Sequence, residues 1–313
     1  MKDQRRAHAL RGGALHSPPS LRVAARLAPN GHRPASVTTA AVLIRTKNEA
    51  SALGTTLDAV FRQSHPPTEV IVIDSGSTDG TLAVAAAFPV QAMSIAPRDW
   101  GYSRALNRAA ARATADVLVC LSAHCVPLDA HWLAHLVSHF TEPRVAGVWG
   151  PQLRPGRPEP TLGPVFVQEP GTYGRDNWMW GLSNANSAIR RDLWSQLPFD
   201  ETMPAAEDKA WGKAAMERGY CIVHDPRAAV WHERHAFRAS YRRQRAVMQG
   251  YRRMFPRDRD PLRNQLLIVG RAAVRAARFH VQERDPKLLW YDVRRAPSSL
   301  AAIVGGISVR RDC

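Results

Sequence analysis

The sequence predicts an α/β fold: a mostly parallel sheet flanked by helices, followed by a helical C-terminal appendage. Three observations lead to this fold class. Short apolar runs alternate with amphipathic stretches from residue 40 onward, which is typical of parallel strands joined by crossover helices. A Pro- and Gly-rich stretch at 151–182 interrupts the alternation, and the chain after residue 232 is arginine-rich with helical spacing.

The first half of the alternation has the clearest pattern. The apolar run at 41–44 predicts a buried strand, because parallel strands that are covered on both faces are continuously apolar. Residues 50–63 carry apolar side chains at helical spacing and predict an amphipathic helix. A second buried strand is predicted at 70–73. It is followed by a polar turn at 74–81 and a helix through the alanines beyond it.

The same pattern continues up to the Pro- and Gly-rich stretch. We expect a helix at 103–114, a strand at 117–121, a helix at 130–140 and a strand at 145–149. We interpret 151–182 as a long loop, and long loops within compact domains are often functional.

Positive charge is concentrated at the two ends of the chain, whose net charge is +16. Residues 1–36 hold 7 Lys/Arg and 1 Asp/Glu, residues 37–233 hold 17 and 20, and residues 234–313 hold 19 and 6. We therefore expect a disordered basic tail over 1–36, a folded domain over 37–235 and a basic helical region over 236–313. Such basic regions face either nucleic acid or an anionic membrane surface.

Several classes of protein are disfavoured by the composition. Apolar runs are shorter than the roughly 18 residues of a membrane-spanning helix, and the early arginines precede no apolar segment, so we expect no secretory signal. The cysteines form no C-x-x-C pair, which favours a reducing, cytoplasmic compartment. Cys120 and Cys125 flank His124, but a four-ligand zinc set is missing, so we interpret both as buried core residues.

Polar clusters follow three of the predicted strands, at 45–49, 74–81 and 122–124. Because ligands bind at the carboxyl ends of parallel strands, we expect these clusters to converge on one edge of the sheet. Each cluster alone is also compatible with a solvated turn or a helix cap. Their joint occurrence favours a binding site.

Six segments carry the strongest signal, and they are Arg45-Thr46-Lys47-Asn48-Glu49, Glu69 to Thr81, Gly101 to Asn107, Asn184 to Arg191, Pro198 to Glu201, and Glu207-Asp208. In order and spacing, over roughly residues 40–235, this set resembles the family 2 glycosyltransferases. The resemblance implies a GT-A domain over 37–235. It also implies inverting transfer of a sugar from a nucleoside-diphosphate sugar to a hydroxyl of a glycan or lipid-linked acceptor.

The resemblance also implies roles for individual residues. Asp208 would act as the general base, and Glu207 would orient it or contact the acceptor. Without the other motifs, two carboxylates in the first turn of a helix would be the simpler interpretation. The residues implied for nucleotide-sugar binding are Arg45, Thr46, Glu49, Asp74, Ser75, Gly76, Arg104 and Ser122. Those implied for the acceptor side are Asn184, Asn186 and Trp211.

One segment departs from the family pattern. Where the family usually has Asp-x-Asp, this chain has Ser122-Ala123-His124, a form similar to a rhamnosyltransferase-like subset. By the resemblance, His124 and His232 would bind a divalent ion, Mn²⁺ or Mg²⁺, since neutral imidazole is an acceptable ligand. The alternative is that each histidine is a polar residue at a strand end.

Other functions stay open at this level. The missing acidic motif is compatible with a degenerate GT-A protein that binds nucleotide or glycan without transfer. A nucleic-acid-binding protein is suggested only by the basic ends and is disfavoured by the acidic middle. A nucleotidyltransferase would need a Gly-rich basic loop after the first strand, which is absent. The basic C-terminal helices predict peripheral attachment at the inner face of the plasma membrane, or else packing on the folded domain.

Overall fold

The computed structural model describes residues 38–153, 163–175, 177–232 and 237–257, together with residues 263, 266 and 267. The predicted disordered tail at 1–36 and most of the predicted helical region at 236–313 therefore lie outside the described residues. The domain boundaries stay a prediction.

Strands and helices alternate along the described chain. The strands are β1 (Ala40–Thr46), β2 (Glu69–Asp74), β3 (Gln91–Ser94), β4 (Val117–Ser122), β5 (Cys125–Pro127), β6 (Val145–Trp149), β7 (Gln152–Leu153), β8 (Phe166–Gln168), β9 (Asn186–Arg190), β10 (Cys221–His224) and β11 (Val230–His232). The helices are α1 (Ala50–Phe61), α2 (Thr81–Ala86), α3 (Tyr102–Ala110), α4 (Trp132–Val137), α5 (Arg191–Gln196), α6 (Glu207–Glu217) and α7 (Phe237–Met254).

The large sheet has the strand order β3-β2-β1-β4-β9-β6-β10-β8. Strand β1 pairs in parallel with β2 and β4, β2 with β3, and β6 with β10. Strand β9 runs antiparallel between β4 and β6, and β8 pairs antiparallel with β10. The predicted α/β class with a mostly parallel sheet is confirmed.

Core side chains lie on both faces of this sheet. On one face, Val42 packs in a cluster with Leu53 of α1, and on the other, Leu43 packs with Leu106 of α3. All four side chains are at most 1% exposed. Because both faces of the sheet are buried, the sequences of the central strands are continuously apolar.

Two predicted helices end differently in the structure. The helix expected over 103–114 ends at Ala110, because the backbone N–H and hydroxyl of Thr114 both donate to the Glu69 carboxylate, at 2.8 and 2.7 Å. These bonds turn the chain toward β4. The helix expected over 130–140 is α4, continued by a 3₁₀ turn at Ser138–Thr141.

A small second sheet joins three distant parts of the chain in the order β5-β11-β7. Strand β11 is antiparallel to β5, with His232 opposite Cys125, and parallel to β7, with Val230 opposite Gln152. The segments around residues 124, 152 and 232 are thereby brought together.

Helix α7 packs on the rest of the described chain through its apolar side. Tyr251 is fully buried and its ring lies 5.2 Å from that of Trp178. Gly250 lies against the turn before α6, so closely that a Cβ there would be 2.3 Å from the Ala205 carbonyl oxygen. Within the described ranges, none of the helices combines the length and apolarity needed to cross a membrane.

Candidate active site

The loops after β1 and β2 are bonded to each other at the carboxyl edge of the sheet. Asn48 adopts a left-handed conformation (φ 56°), and its Oδ1 accepts the Thr78 N–H at 2.8 Å. Asp79 accepts the Ala50 N–H at 3.1 Å, and a hydrogen bond from the Thr81 hydroxyl lowers the pKa of the Asp79 carboxyl. The two loops therefore form one rigid rim.

Asp74 organises the turn that follows β2. Its carboxylate accepts the backbone N–H groups of Gly76 and Ser77 at 2.9 Å each, and also the Ser77 hydroxyl. Gly76 has φ +85°, and an added Cβ would be 2.8 Å from Pro97, so only glycine fits without rearrangement. The predicted nucleotide contacts of Asp74 and Gly76 stay predictions.

Two other predicted nucleotide ligands meet beside this turn. The Ser75 backbone N–H and hydroxyl donate to the Thr46 carbonyl at 3.0 and 3.2 Å. Both residues are buried, and the Thr46 hydroxyl oxygen has no hydrogen-bond partner among the described residues. A buried hydroxyl of this kind is costly unless a partner reaches it.

His124 and His232, the two predicted metal ligands, lie face to face. Their rings stack with centroids 5.0 Å apart, and the two Nε2 atoms are 3.1 Å apart. The outer nitrogens are hydrogen-bonded to fixed oxygens: His124 Nδ1 to Glu49 Oε1 at 2.9 Å, and His232 Nδ1 to Gln152 Oε1 at 2.7 Å. The small sheet positions this pair, since β5, β7 and β11 carry or adjoin three of the four residues.

The outer hydrogen bonds place an acceptor oxygen behind each ring. With both Nδ1–H groups donating to these oxygens, the 3.1 Å contact between the two Nε2 atoms is either one N–H···N hydrogen bond or a pair of nitrogens that a cation can bridge. Backing of the Nδ1–H by carboxylate or carbonyl is typical of metal-ligating histidines.

The two predicted catalytic carboxylates begin helix α6 and share one neighbour. The Asn184 backbone N–H donates to Asp208 Oδ2 at 3.0 Å, and its side-chain Nδ2 donates to Glu207 Oε1 at 3.2 Å. Ala206, just before them, is left-handed (φ 63°). Asn184 was predicted on the acceptor side, and the structure places it against these two carboxylates.

Glu207 is also bonded to the end of β1. Its Oε1 lies 3.1 Å from Arg45 Nη1, and this arginine also donates to the Tyr102 carbonyl at 3.2 Å. Burial and the neighbouring Asp208 raise the pKa of Glu207, although Arg45 acts in the opposite direction. The next residue, Lys209, donates to the Gly181 carbonyl at 2.7 Å, and burial lowers the pKa of its amine.

Two residues predicted on the acceptor side make internal contacts. Asn186 is fully buried, accepts from Trp132 Nε1 at 2.8 Å and donates to the Ala228 carbonyl at 2.7 Å. Trp211 is 3% exposed and donates to the Leu197 carbonyl at 2.7 Å. Their acceptor contacts stay predictions.

The remaining predicted residues occupy less central positions. Arg104 is bonded to Glu201 Oε2 at 3.1 Å and to the Asp99 carbonyl at 2.9 Å. Ser122 ends β4, and its backbone N–H donates to the Ala185 carbonyl at 3.2 Å. Their contacts with a nucleotide sugar stay predictions.

The cysteines near His124 are core residues, as predicted. Cys120 and Cys125 are fully buried, and burial raises the pKa of each thiol to about 12. Among the described residues there is also no group of three His, Cys, Asp or Glu side chains arranged to hold a metal. The thiols are therefore neutral packing groups.

Sequence reasoning missed three residues that shape the site, namely Gln152, Tyr102 and Lys209. Gln152 lies in the Pro-rich stretch and becomes relevant only through the small sheet. Tyr102 lies under the Arg45 guanidinium, 5.0 Å from its ring centroid. Lys209 adjoins Asp208 in the chain, which was the one available signal.

Residues 41–194 match the family model described as glycosyl transferase family 2. This segment includes both loops of the rim and the first histidine of the pair. The match supports a family 2 glycosyltransferase.

Curated relatives of the chain include two bacterial enzymes. The chain is 28% identical over 208 residues to the O-antigen chain rhamnosyltransferase RfbN of Salmonella typhimurium, matching 61% of this chain and 65% of the relative. It is 27% identical over 190 residues to the O-antigen chain rhamnosyltransferase WbaN of Salmonella anatum, matching 56% and 59%. The chain thus spans less than two thirds of the length of each.

Solved glycosyltransferase structures share the fold of this chain. A mannosyltransferase of Pyrobaculum calidifontis, solved with GDP-Man and Mn²⁺, superposes with a TM-score of 0.57 at 19% identity, covering 87% of this chain and 88% of that one. Glucosyl-3-phosphoglycerate synthase of Mycobacterium tuberculosis, solved with phosphoglyceric acid, gives a TM-score of 0.54 at 18% identity, covering 71% and 85%. At this identity the likeness establishes the fold.

Proposed function

We propose that the chain is an inverting glycosyltransferase that moves a sugar from a nucleoside-diphosphate sugar to a hydroxyl of a glycan or lipid-linked acceptor. One observation carries this proposal. Asp208 lies in the first turn of α6, and its carboxylate accepts a hydrogen bond from the Asn184 backbone N–H. The adjacent Glu207 forms a salt bridge with Arg45, which lies near the end of β1. A family 2 transferase needs a base and a donor cradle at one sheet edge.

Asp208 is the base in this proposal. An acceptor hydroxyl is a poor nucleophile, so a positioned carboxylate must accept its proton as the new bond to the sugar forms. The Asn184 N–H fixes one carboxylate oxygen, and the Lys209 N–H bonds the other at 2.7 Å. Holding this base and the acceptor in place accounts for much of the expected rate gain.

The donor lies against the rim formed by the loops after β1 and β2. Its proposed contacts are Thr46, Glu49, Asp74, Ser75, Gly76, Arg104 and Ser122. The first donor to test is a nucleoside-diphosphate rhamnose, because RfbN and WbaN are named as rhamnosyltransferases and this chain shares their family. The same relatives support a place in cell-envelope polysaccharide synthesis.

The Nε2 atoms of His124 and His232 are 3.1 Å apart, close enough to bind one divalent ion together, and both Nδ1 atoms are backed by oxygens. These two residues would hold Mn²⁺ or Mg²⁺. The mannosyltransferase of similar fold was solved with Mn²⁺. When bound, such an ion stabilises the negative charge that develops on the departing diphosphate.

The experiment measures nucleoside diphosphate release from a panel of nucleotide sugars, with and without Mn²⁺, for the wild type and Asp208→Asn. We expect one donor to be hydrolysed slowly by the wild type and turned over faster with a suitable acceptor. The variant should lose acceptor-dependent turnover and keep donor binding. Asp58→Asn is the matched control, because Asp58 is 55% exposed on α1.

Each outcome decides a different part of this proposal. Turnover without Mn²⁺ would contradict a requirement for that ion. Full activity of Asp208→Asn would contradict the assignment of Asp208 as the general base. Nucleotide binding without any release would favour the degenerate, non-catalytic protein that the sequence left open.

We further propose electrostatic attachment to an anionic membrane surface at the inner face of the plasma membrane. Described arginines of the C-terminal part, Arg243, Arg245, Arg253 and Arg257, are exposed, while the apolar side of α7 is buried. Attachment would then depend on charge rather than insertion. Binding to anionic but not neutral liposomes at physiological salt is expected, and equal partitioning would contradict it.

A further inference from the structure

Arg45 connects the donor-side rim to the acceptor-side helix. Its Nη1 is 3.1 Å from Glu207 Oε1 and donates to the Tyr102 carbonyl at 3.2 Å, while the guanidinium lies over the Tyr102 ring at 5.0 Å. The side chain is 18% exposed, and that of Glu207 is 5% exposed. This arginine is therefore held by internal contacts at Nη1 and on one face of its guanidinium.

Glu207 is connected to Asp208, the proposed base, through Asn184. The Asn184 side chain donates to Glu207 Oε1, and its backbone N–H donates to Asp208 Oδ2. A displacement of Glu207 would move Asn184 and with it the hydrogen bond that orients Asp208. The four residues form one continuous chain of contacts from β1 to α6.

We propose that Arg45 is a positioning residue for Asp208, acting through Glu207 and Asn184, in place of the nucleotide contact predicted from the sequence. The inference rests on the proposed transferase function. In this inference the end of β1 takes part in activating the acceptor. The rim and Asp208 are then connected by a continuous set of side-chain and backbone contacts.

The charges around Glu207 favour the same assignment. Glu207 and Asp208 are adjacent carboxylates that repel each other, and Arg45 supplies the cation in direct contact with Glu207. Lys209 is the other nearby cation, but its amine is bonded to the Gly181 carbonyl. Without Arg45, the buried Glu207 carboxylate would lose its counter-charge and its fixed position.

The test compares Arg45→Met and Arg45→Lys with wild type in kcat, donor KM and nucleoside diphosphate affinity by calorimetry. Arg45→Met should lower kcat about 100-fold, since small misplacements of catalytic groups have effects of this order, and leave nucleotide affinity unchanged. Arg45→Lys should recover part of kcat, because it keeps the charge without the planar fork. Arg62→Met is the control, since Arg62 is 71% exposed on the surface.

A double variant checks the route of the effect. If Arg45 acts through Glu207, Arg45→Met/Glu207→Gln should be no slower than Glu207→Gln alone, because residues acting as one unit are not additive. Independent, multiplied losses would overturn the inference. So would a loss of nucleotide affinity in Arg45→Met with kcat unchanged.

Failure of the proposed function is distinguishable from failure of this inference. If the wild type transfers no sugar with any donor and acceptor, the transferase proposal fails. Nucleotide affinity then still decides the role of Arg45. Unchanged affinity in Arg45→Met supports a contact internal to the protein, and lost affinity overturns it.

Discussion

Glu49 holds the His124 ring by the hydrogen bond between its Oε1 and His124 Nδ1, at 2.9 Å. We expect Glu49→Gln to weaken Mn²⁺ binding about 10-fold or more, because partners behind a ligating histidine orient the ring and raise its basicity. The measurement is Mn²⁺ titration followed by electron paramagnetic resonance. Glu217→Gln, at a 62% exposed side chain, is the control. Equal Mn²⁺ affinity of both variants would argue that the histidine pair is structural.

Asn186 gives a second prediction at the residue scale. Asn186→Ala should lower the free energy of unfolding by about 3 kcal/mol, because the Trp132 N–H and the Ala228 carbonyl both lose a buried partner. Chemical denaturation measures this loss. An unchanged stability with a raised acceptor KM would instead mean that Asn186 reaches the acceptor.

The motifs did not reveal which way each side chain points. The His124–His232 and Glu207–Asp208 pairs each come together in the structure, and their roles stay predictions. The burial of Asn186 could not be predicted, because a strand sends alternate side chains to opposite faces and a short motif does not reveal which face is solvent-accessible. Gln152 could not be found, since its partner is 80 residues away in the chain.

At the scale of elements, helix α7 packs against the turn that precedes Glu207 and Asp208. Gly250→Ala should destabilise the protein by about 1–3 kcal/mol, because the new Cβ would lie 2.3 Å from the Ala205 carbonyl oxygen. Gly54→Ala in α1 is the matched control, since its Cβ would meet Val84 at an ordinary 3.5 Å. That substitution should be neutral or stabilising, as alanine is the better helix former. Thermal unfolding of both variants measures the difference.

A similar loss in both glycine variants would indicate a general effect of alanine rather than the contact of α7. If only Gly250→Ala loses stability, a parallel fall in kcat with donor affinity intact would be expected as well. The turn at Ala206 is left-handed and sets the start of α6.

Elements differed in how well the sequence predicted them. Strands β1, β2 and β4 are buried on both faces, so their apolar runs are unmistakable. Strand β3 was missed because it lies at the sheet edge with largely exposed side chains. Strands β5, β7 and β11 are two or three residues long, too short for any periodicity, and exist only through pairing with one another.

At the scale of the whole molecule, acid should destabilise the fold through Asp225. Burial alone would raise the pKa of this fully buried carboxyl, but hydrogen bonds from His139 and Arg227 outweigh it and hold the pKa well below its usual range. The unfolded chain then binds more protons than the folded one. Stability is therefore present above about pH 4 and lost as the pH falls below it.

Urea denaturation between pH 7 and pH 3 tests this linkage. Asp225→Asn should be about 3 kcal/mol less stable at pH 7 and show a flatter loss in acid, because the buried ion pair is already broken. Asp58→Asn is the exposed control and should keep the wild-type slope. Glu207, whose pKa is raised, contributes the opposite slope at higher pH, so the comparison is made below pH 4. Identical acid slopes for all three proteins would contradict the assignment.

The histidine pair joins positions 108 residues apart in the chain, which has a consequence for biosynthesis. During translation, β1, β2 and β4 are able to pair once residue 122 has left the ribosome. The small sheet cannot form until β11, the last of its three strands in the chain, has left the ribosome. Since domains form from the N-terminus while the chain is still growing, a nascent chain would form the rim of the loops after β1 and β2 early and the His124–His232 pair, the proposed metal site, later.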